Sequence, residues 1–452
     1  MRPAATFDHC LTETPLTSRV LAIAAIGGAA VIFDGYDLQA LAYALPKIVA
    51  EWHISPVQAG LLASFTFVGL FIGAVGLGAL GDRFGRKRML VLGVSVFAVF
   101  MGTAGFAGDY TQFAILRFCA AIGMGGVLPA TIAMLGEYVP VRRRGRMIAV
   151  SAGCFTFGFV LAAVAATLLV PNFGWRPLFH LSYAALIVAA LIAWFVPETP
   201  QFLATRSRYD EALATVKKVY PAIWPAAQAA DPAEFFTGPR TKDGQIQLRT
   251  LWTARYRNST LTISLLYLFL QFVVYALDFW MVSLLVKHGL SLVGSYSYAI
   301  EQAAAATLGG FVLGWVLDRM NQYAALAIAF AAGGVCLVLF GFATSVVALY
   351  LLNALAGAFI IGGQNVVHTL VMATYGPEAR ATGLGWALGI GRLGGLLGPL
   401  IGGYLLAASL PFPVYFLVFA VPAVLCSVTV VVLRAVRAPE PAAVTRQLDP
   451  KY

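Results

Sequence analysis

Charge is what this sequence has least of: 11% of its 452 residues are Asp, Glu, Lys or Arg, against roughly a quarter in a soluble protein. With 60% of residues apolar, that scarcity excludes a water-soluble enzyme. Cysteine is scarce as well. Of the five present, Cys119, Cys154, Cys336 and Cys426 lie inside apolar runs with no paired spacing and no CxxC, which argues against a disulfide framework or a zinc site. There is no GxxxxGK loop, since the glycine-rich segments are apolar, and neither cofactor nor metal is expected. No small-residue cleavage site follows the first apolar run, which is too long for a cleavable signal and reads as a retained helix.

Apolar runs are what the chain has in abundance. Twelve of them are long enough, at 1.5 Å per residue, to cross a hydrocarbon core of about 30 Å. They fall near 20–45, 57–80, 89–107, 113–136, 147–170, 178–196, 261–286, 292–317, 324–343, 346–372, 383–408 and 414–433. The net charge of +10 could by itself point to nucleic acid, so the placement of the basic residues decides. All 30 except Lys47, Arg176, Lys287, Arg117 and Arg392 fall in loops on the side of the amino terminus. The positive-inside rule then puts both termini in the cytoplasm of a multi-pass bacterial inner-membrane protein. Clusters such as Arg142, Arg143, Arg144 and Arg146 set topology and face anionic lipid, so no nucleic-acid partner is expected.

The long hydrophilic interval divides the chain into a cytoplasmic amino terminus (1–18), a six-span bundle (19–196), a cytoplasmic inter-bundle loop (197–258), a second six-span bundle (259–437) and a cytoplasmic tail (438–452). Two halves of nearly equal length suggest duplication. At an offset of 236 residues Asp82-Arg83 falls on Asp318-Arg319, Arg117 on Asn353, Arg144 on Arg380 and Gly153 on Gly389, as internal repeats of a carrier would. Within the loop, 210–219 (DEALATVKKV) is amphipathic at helical spacing and reads as an interfacial tether. Glycines such as Gly69, Gly73, Gly394, Gly398 and Gly402 line single helix faces, which permits close approach of neighbouring helices.

Against this background the charges inside spans stand out, because each costs at least about 2.5–3.5 kcal/mol at mid-bilayer unless it faces a cavity or a partner. Asp34 and Asp37 share a face of span 1. Counted along the helix axis, Asp34, Arg117, Arg392 and Glu301 lie about 22, 21, 18 and 20 Å from the cytoplasmic end, near one level. Two carboxylates on one face repel, and a low dielectric penalises charge, which makes Asp34 and Asp37 a candidate proton-coupling site with Glu301 as a second one. Arg117 would tune it, and a static ion pair of Arg117 with Asp34 or Asp37 is the structural alternative. Guanidinium suits bidentate capture of a carboxylate, so Arg392, flanked by small residues, is the candidate anion hook. Gln364 and Asn365 beside Gly362-Gly363, Tyr36, Trp386 and Asp278 complete the candidate substrate contacts. Asp278 lies toward the outer end of span 7, within reach of solvent, and His368 reads as a satisfied structural histidine.

These motifs resemble a known family. The segment GALGDRFGRKRML (78–90), between spans 2 and 3, matches the signature of the major facilitator superfamily. DGYD (34–37), EYVPVRRRG (137–145), PETPQFL (197–203) and YGPEARATGLGWALGIGRLGGLLGP (375–399) resemble its aromatic acid:proton symporters. The resemblance implies an all-α integral membrane fold, twelve helices in two six-helix pseudo-symmetric bundles. It also implies proton-driven import of an aromatic or related carboxylate by alternating access, with Asp34 and Asp37 as the acidic motif, Arg117 and Arg392 as the family arginines, and Gly81, Asp82, Arg83, Gly85 and Arg86 as the gating loop. Two departures are DFWMV (278–282), with an Asp and no proline, and a degraded second gating loop, LDRMNQY (317–323). The extra negative charge of Asp278 and Glu301 opens the substrate range toward ring-cleavage acids. The expected partners are thus a small aromatic or ring-cleavage carboxylate, protons and the lipid bilayer, with the protein a monomer. A proton-coupled exporter and a non-transporting chemoreceptor stay as alternatives.

Overall fold

The computed structural model describes residues 6–236, 248–317, 319–376 and 379–436. Twelve helices long and apolar enough to cross a membrane follow one another, and among the described residues there is no strand. Spans 1 to 5 are Ser18–Trp52, Pro56–Phe84, Arg86–Ala104, Tyr110–Tyr138 and Val141–Phe173. Span 6 is broken: Arg176–His180 leads through a 3₁₀ stretch, Leu181–Ala184, into Ala185–Phe195. Spans 7 to 9 are Arg257–Lys287, Leu292–Leu317 and Gln322–Phe342. Span 10 carries a π-helical turn, Gly357–Ile361, between Val346–Ala356 and Gly362–Thr374. Spans 11 and 12 are Arg380–Ala407 and Phe412–Val436.

Local chemistry accounts for several of these boundaries. Span 2 opens on a capping box, in which Ser55 Oγ accepts from Gln58 N (3.2 Å) and Gln58 Oε1 accepts from Ser55 N (2.8 Å), with Pro56 at the first helical position. Asp109 caps span 4 through Gln112 N (2.9 Å), and Asn321 caps span 9 through Tyr323 N (3.0 Å). Span 1 runs through Pro46 to Trp52, further than the apolar run alone suggests. Span 5 begins at Val141 rather than near 147, because the Arg142–Arg146 cluster is itself helical and only its apolar continuation is visible to hydropathy.

The chain forms two compact units. The first comprises Met1–Lys242, Tyr275–Ala304 and Gly395–Tyr415; the second comprises Asp243–Val274, Ala305–Gly394 and Phe416–Tyr452. Spans 7, 8, 11 and 12 are therefore each divided between the units, a different cut from the one made at the long hydrophilic interval. Within the first unit the reason is visible. Gln39 Nε2 donates to the Asp278 carbonyl (3.1 Å), Tyr296 Oη donates to the Tyr43 carbonyl (2.8 Å), Ser64 Oγ donates to the Leu396 carbonyl (2.8 Å), and Phe67 and Tyr275 meet edge to face.

On the opposite end of the first unit, the amphipathic stretch is a helix over Tyr209–Val219. It is tied to the start of span 1 by Thr17 Oγ1 donating to the Val219 carbonyl (3.0 Å) and by a bond from Arg19 to the Lys218 carbonyl. Phe7 of the short helix Phe7–Glu13 packs on Tyr220, Phe235 and Phe236. The inter-bundle segment is thus anchored to this end of the first unit.

Candidate transport site

Span 1 carries DGYD where it crosses span 5. The backbones approach so closely that a Cβ on Gly35 would collide with the Phe155 carbonyl, and one on Gly158 would lie 2.6 Å from Tyr36 N. Glycine at both positions is what lets an acidic turn be packed inside apolar helices. Asp34 and Asp37 are both buried, Asp37 completely. Tyr36 is buried too, and its hydroxyl donates to the Leu178 carbonyl (2.8 Å). That bond commits Tyr36 to span 6.

Arg117 is 2% exposed. The alternative of a static side-chain ion pair is not what forms among the described residues: both terminal nitrogens donate to the Asp37 carbonyl (3.2 Å each), one also to the Leu38 carbonyl (3.2 Å), and the other approaches Met101 Sδ (3.3 Å). The guanidinium clamps the main chain of span 1 instead. Its engagement falls at Asp37–Leu38, one turn beyond Asp34, because a long side chain reaching from span 4 meets carbonyls before it reaches a carboxylate on another face. The Asp37 carboxylate turns toward span 6, where Ser182 donates to Oδ1. Among the described residues Oδ2 has no partner, nor has Arg117 Nε. Ser182 lies in the 3₁₀ stretch that interrupts span 6, and tightened backbone of this kind within a helix is a recurrent mark of functional sites. Sequence reasoning missed Ser182; its one signal was a small hydroxyl residue in a largely apolar run.

Asp278 and Glu301 belong to the same unit. Glu301 is half-buried in span 8 beside Gln302, whose Nε2 is buried without a partner. Asp278 is half-buried, its main-chain carbonyl bonded by span 1, and lines a cavity of about 20 Å³ with Gln39, Thr66, Phe67, Arg117 and Tyr275 among its walls. A larger cleft of about 610 Å³ lies elsewhere, between the loop joining spans 2 and 3 and the Tyr209–Val219 helix. It touches none of these buried charges.

That loop is held at several points. Gly85 has φ +107°, and a Cβ there would meet Glu198, whose Oε1 accepts from Lys87 N (3.2 Å). Arg86 Nε pairs with Glu137 Oε1 at 2.7 Å, and Arg206 donates to the Arg83 carbonyl (2.6 Å). The Gly81–Arg86 junction, helical except at Gly85, is therefore tied to the end of span 4 and to the PETPQFL segment. The side chain of Asp82 lies outside the described residues, as do Asp318, Pro377 and Glu378.

The remaining candidates belong to the second unit. Arg392 is half-buried on span 11. Its neighbours allow a backbone-close crossing with span 7: a Cβ on Gly394 would lie 2.9 Å from Phe272 N, and one on Gly391 would lie 2.9 Å from Gln271 Cγ. Gln364 follows the π turn of span 10, and the Oε1 atoms of Gln364 and Gln271 are both buried without a partner. Buried unpaired amide oxygens are sites where a ligand would complete the hydrogen bonding, and Gln271 lies against Gly391, next to Arg392 in the chain. Asn365 is exposed, Trp386 Nε1 donates to Ser264 Oγ (2.9 Å), and His368 Nδ1 is bonded to the Tyr267 hydroxyl. Gln271 was not singled out from sequence, where a lone amide in LFLQFVVY gives no pattern.

Twelve apolar helices enclosing buried carboxylates and arginines define a multi-pass membrane transporter. Family comparison agrees: residues 27–343 and 302–450 match the Major Facilitator Superfamily, and the chain belongs to that superfamily. It is similar to the benzoate transport protein of Acinetobacter baylyi (31% identity, 95% of this chain and 92% of that one). It is also similar to the gallate transporter of Pseudomonas putida (32%, 87% of each) and the gentisate transporter of Corynebacterium glutamicum (30%, 94% and 89%). Among solved structures it resembles an inward-facing bacterial homologue of the lysosomal transporter Spinster (TM-score 0.71, 17% identity, 93% of this chain and 96% of that one). The inward-open xylose transporter XylE of E. coli resembles it equally (TM-score 0.70, 15%, 94% and 97%). The fold is that of the superfamily.

Proposed function

We propose that the protein is a proton-coupled symporter importing an aromatic or related organic carboxylate across the bacterial inner membrane, working as a monomer with both termini cytoplasmic. The relatives' names supply the substrate class, and the basic loops supply the orientation. One observation carries the proton coupling: a fully buried aspartate, Asp37, with one carboxylate oxygen on Ser182 and the other unpartnered, fixed in place by an arginine on its own main chain.

In this reading Arg392 takes the substrate carboxylate, with Gln271 and Gln364 as amide acceptors for ring hydroxyls and Trp386 as a ring-facing wall. Asp37 takes the proton, Asp34 shares its face, and Arg117 holds the carrying turn of span 1 in register. The Gly81–Arg86 loop is the gate: its bonds to Glu137, Glu198 and Arg206 must break when the bundles rock. Uptake of labelled benzoate, gallate and gentisate into proteoliposomes tests the reading. An imposed inward proton gradient should drive accumulation of at least one acid, and a protonophore should abolish it; accumulation indifferent to the protonophore would remove proton coupling.

A further inference from the structure

Asp278 is the one acidic group in the apolar spans that the proposed mechanism leaves unused although the structure seats it beside a member of the site. It lies about 14 Å from the far end of span 7, counted at 1.5 Å per residue. Its main-chain carbonyl is bonded by Gln39 of span 1, while its carboxylate makes no hydrogen bond among the described residues. The cavity that it lines is also walled by Leu38, Leu41, Phe67 and Phe279, with Arg117, Gln39 and Thr66 as the polar members. About 20 Å³ accommodates one water, and these polar members supply the two to four partners such a water needs. Asp278 thus lines the same small cavity as Arg117, the residue that clamps the main chain at Asp37.

A carboxylate so placed has two unequal states. Protonated, it is a small polar group that a single water satisfies, and spans 1, 2 and 7 pack as observed. Ionised, it is a charge against Phe67, Phe279 and two leucines, with Arg117 as the facing cation, and Arg117 is already engaged by two main-chain carbonyls. The other titratable groups facing it are phenols: Tyr275 on its own span, Tyr43 on span 1 and, bonded to the Tyr43 carbonyl, Tyr296 on span 8. None of the three supplies positive charge. Asp278 is half-buried; packing the unpaired ion against these apolar side chains opposes the crossing, whereas the neutral acid permits it.

We propose that Asp278 is a second proton-binding group of this carrier, whose protonation permits span 7 to pack on spans 1, 2 and 4 and whose ionisation opposes that packing. The step is one proton from water added to the carboxylate on closing, and the same proton returned on opening. The proposal rests on the proton-coupled reading given above, and extends it from a carboxylate inside span 1 to one carried across to that span by span 7.

The test is substrate exchange at equal pH on both faces of proteoliposomes, where no gradient contributes, with labelled benzoate as probe. In the native protein exchange should decline with rising pH once Asp278 ionises, by up to about tenfold per pH unit for a single group. Asp278→Asn, which has nothing to ionise, should give a profile that lacks this decline, and Asp278→Glu should restore it. A native-like pH profile in Asp278→Asn overturns the proposal. Because the asparagine variant could fail to fold, the native protein carries a second readout: spin labels at the far ends of spans 1 and 7 should report a longer separation at high pH than at low, and a pH-independent separation likewise overturns it. The parent reading fails separately, through protonophore-insensitive accumulation by the native protein, a result that does not involve position 278.

Discussion

Arg117 of span 4 and Asn353 of span 10 occupy corresponding places in the two halves of the chain, 236 residues apart. Both are buried. In the first unit the residue is a cation bonded to the main chain of span 1, next to a carboxylate held by Ser182. In the second it is a neutral amide, its span contains a π turn, and the cation has moved to span 11 as Arg392, half-buried beside an unpartnered amide. The difference is one of burial and bonding. A deeply buried, multiply bonded arginine is costly to disturb and serves to hold geometry, because removing one member of a buried polar network leaves the others unsatisfied. A half-buried arginine with open neighbours can exchange water for a ligand.

The sharpest way to break this comparison is Asp37→Asn. It should abolish gradient-driven accumulation entirely while substrate exchange persists; concentrative uptake by the variant would take Asp37 out of its role. Arg392→Ala comes next. Loss of a charge-assisted bond worth about 1.5–3 kcal/mol should weaken benzoate binding by roughly ten- to 150-fold in a titration, and unchanged affinity would place the anion elsewhere. Arg117→Asn gives the first half the residue of the second. Here thermal stability in detergent should fall, with about 1–3 kcal/mol lost as the span 1 carbonyls lose their donor, and benzoate affinity should change far less than in Arg392→Ala. Equal effects on stability and affinity would erase the distinction between holding and binding.

Two smaller substitutions sharpen it further. Gly158→Val presses a side chain onto Tyr36 N, and the forced separation of spans 1 and 5 should cost about 1–3 kcal/mol; a native melting temperature would show that the crossing is looser than the backbone distances indicate. Tyr36→Phe removes only the bond to the Leu178 carbonyl, so stability should drop by about 1 kcal/mol with transport essentially intact. Loss of substrate affinity in that variant would restore Tyr36 to the list of substrate contacts.

How much of this was legible beforehand differs by kind of feature. The amphipathic loop helix emerged where its 3.6-residue periodicity places it, and Ser55, Asp109 and Asn321 cap helices for reasons visible in a few neighbouring residues. The buried character of Asp34, Asp37 and Arg117 followed from charge inside apolar runs. Their partners did not. Arg117 carried an ion pair only as an alternative and binds carbonyls in the structure, Ser182 and Gln271 give no pattern in sequence, and the Tyr36 hydroxyl donates to span 6.

Hydropathy, loop charge and short motifs, which are local along the chain, were enough by themselves to establish twelve spans and the superfamily. Each depends on transfer free energies summed over a stretch of consecutive residues, and needs no knowledge of neighbours. Only the tertiary structure decided which oxygen each buried donor meets and that span 7 brings Asp278 to a cavity shared with Arg117. Those outcomes depend on where glycines let helices cross and how far a side chain must reach, distances of a few ångströms that no one-dimensional pattern encodes.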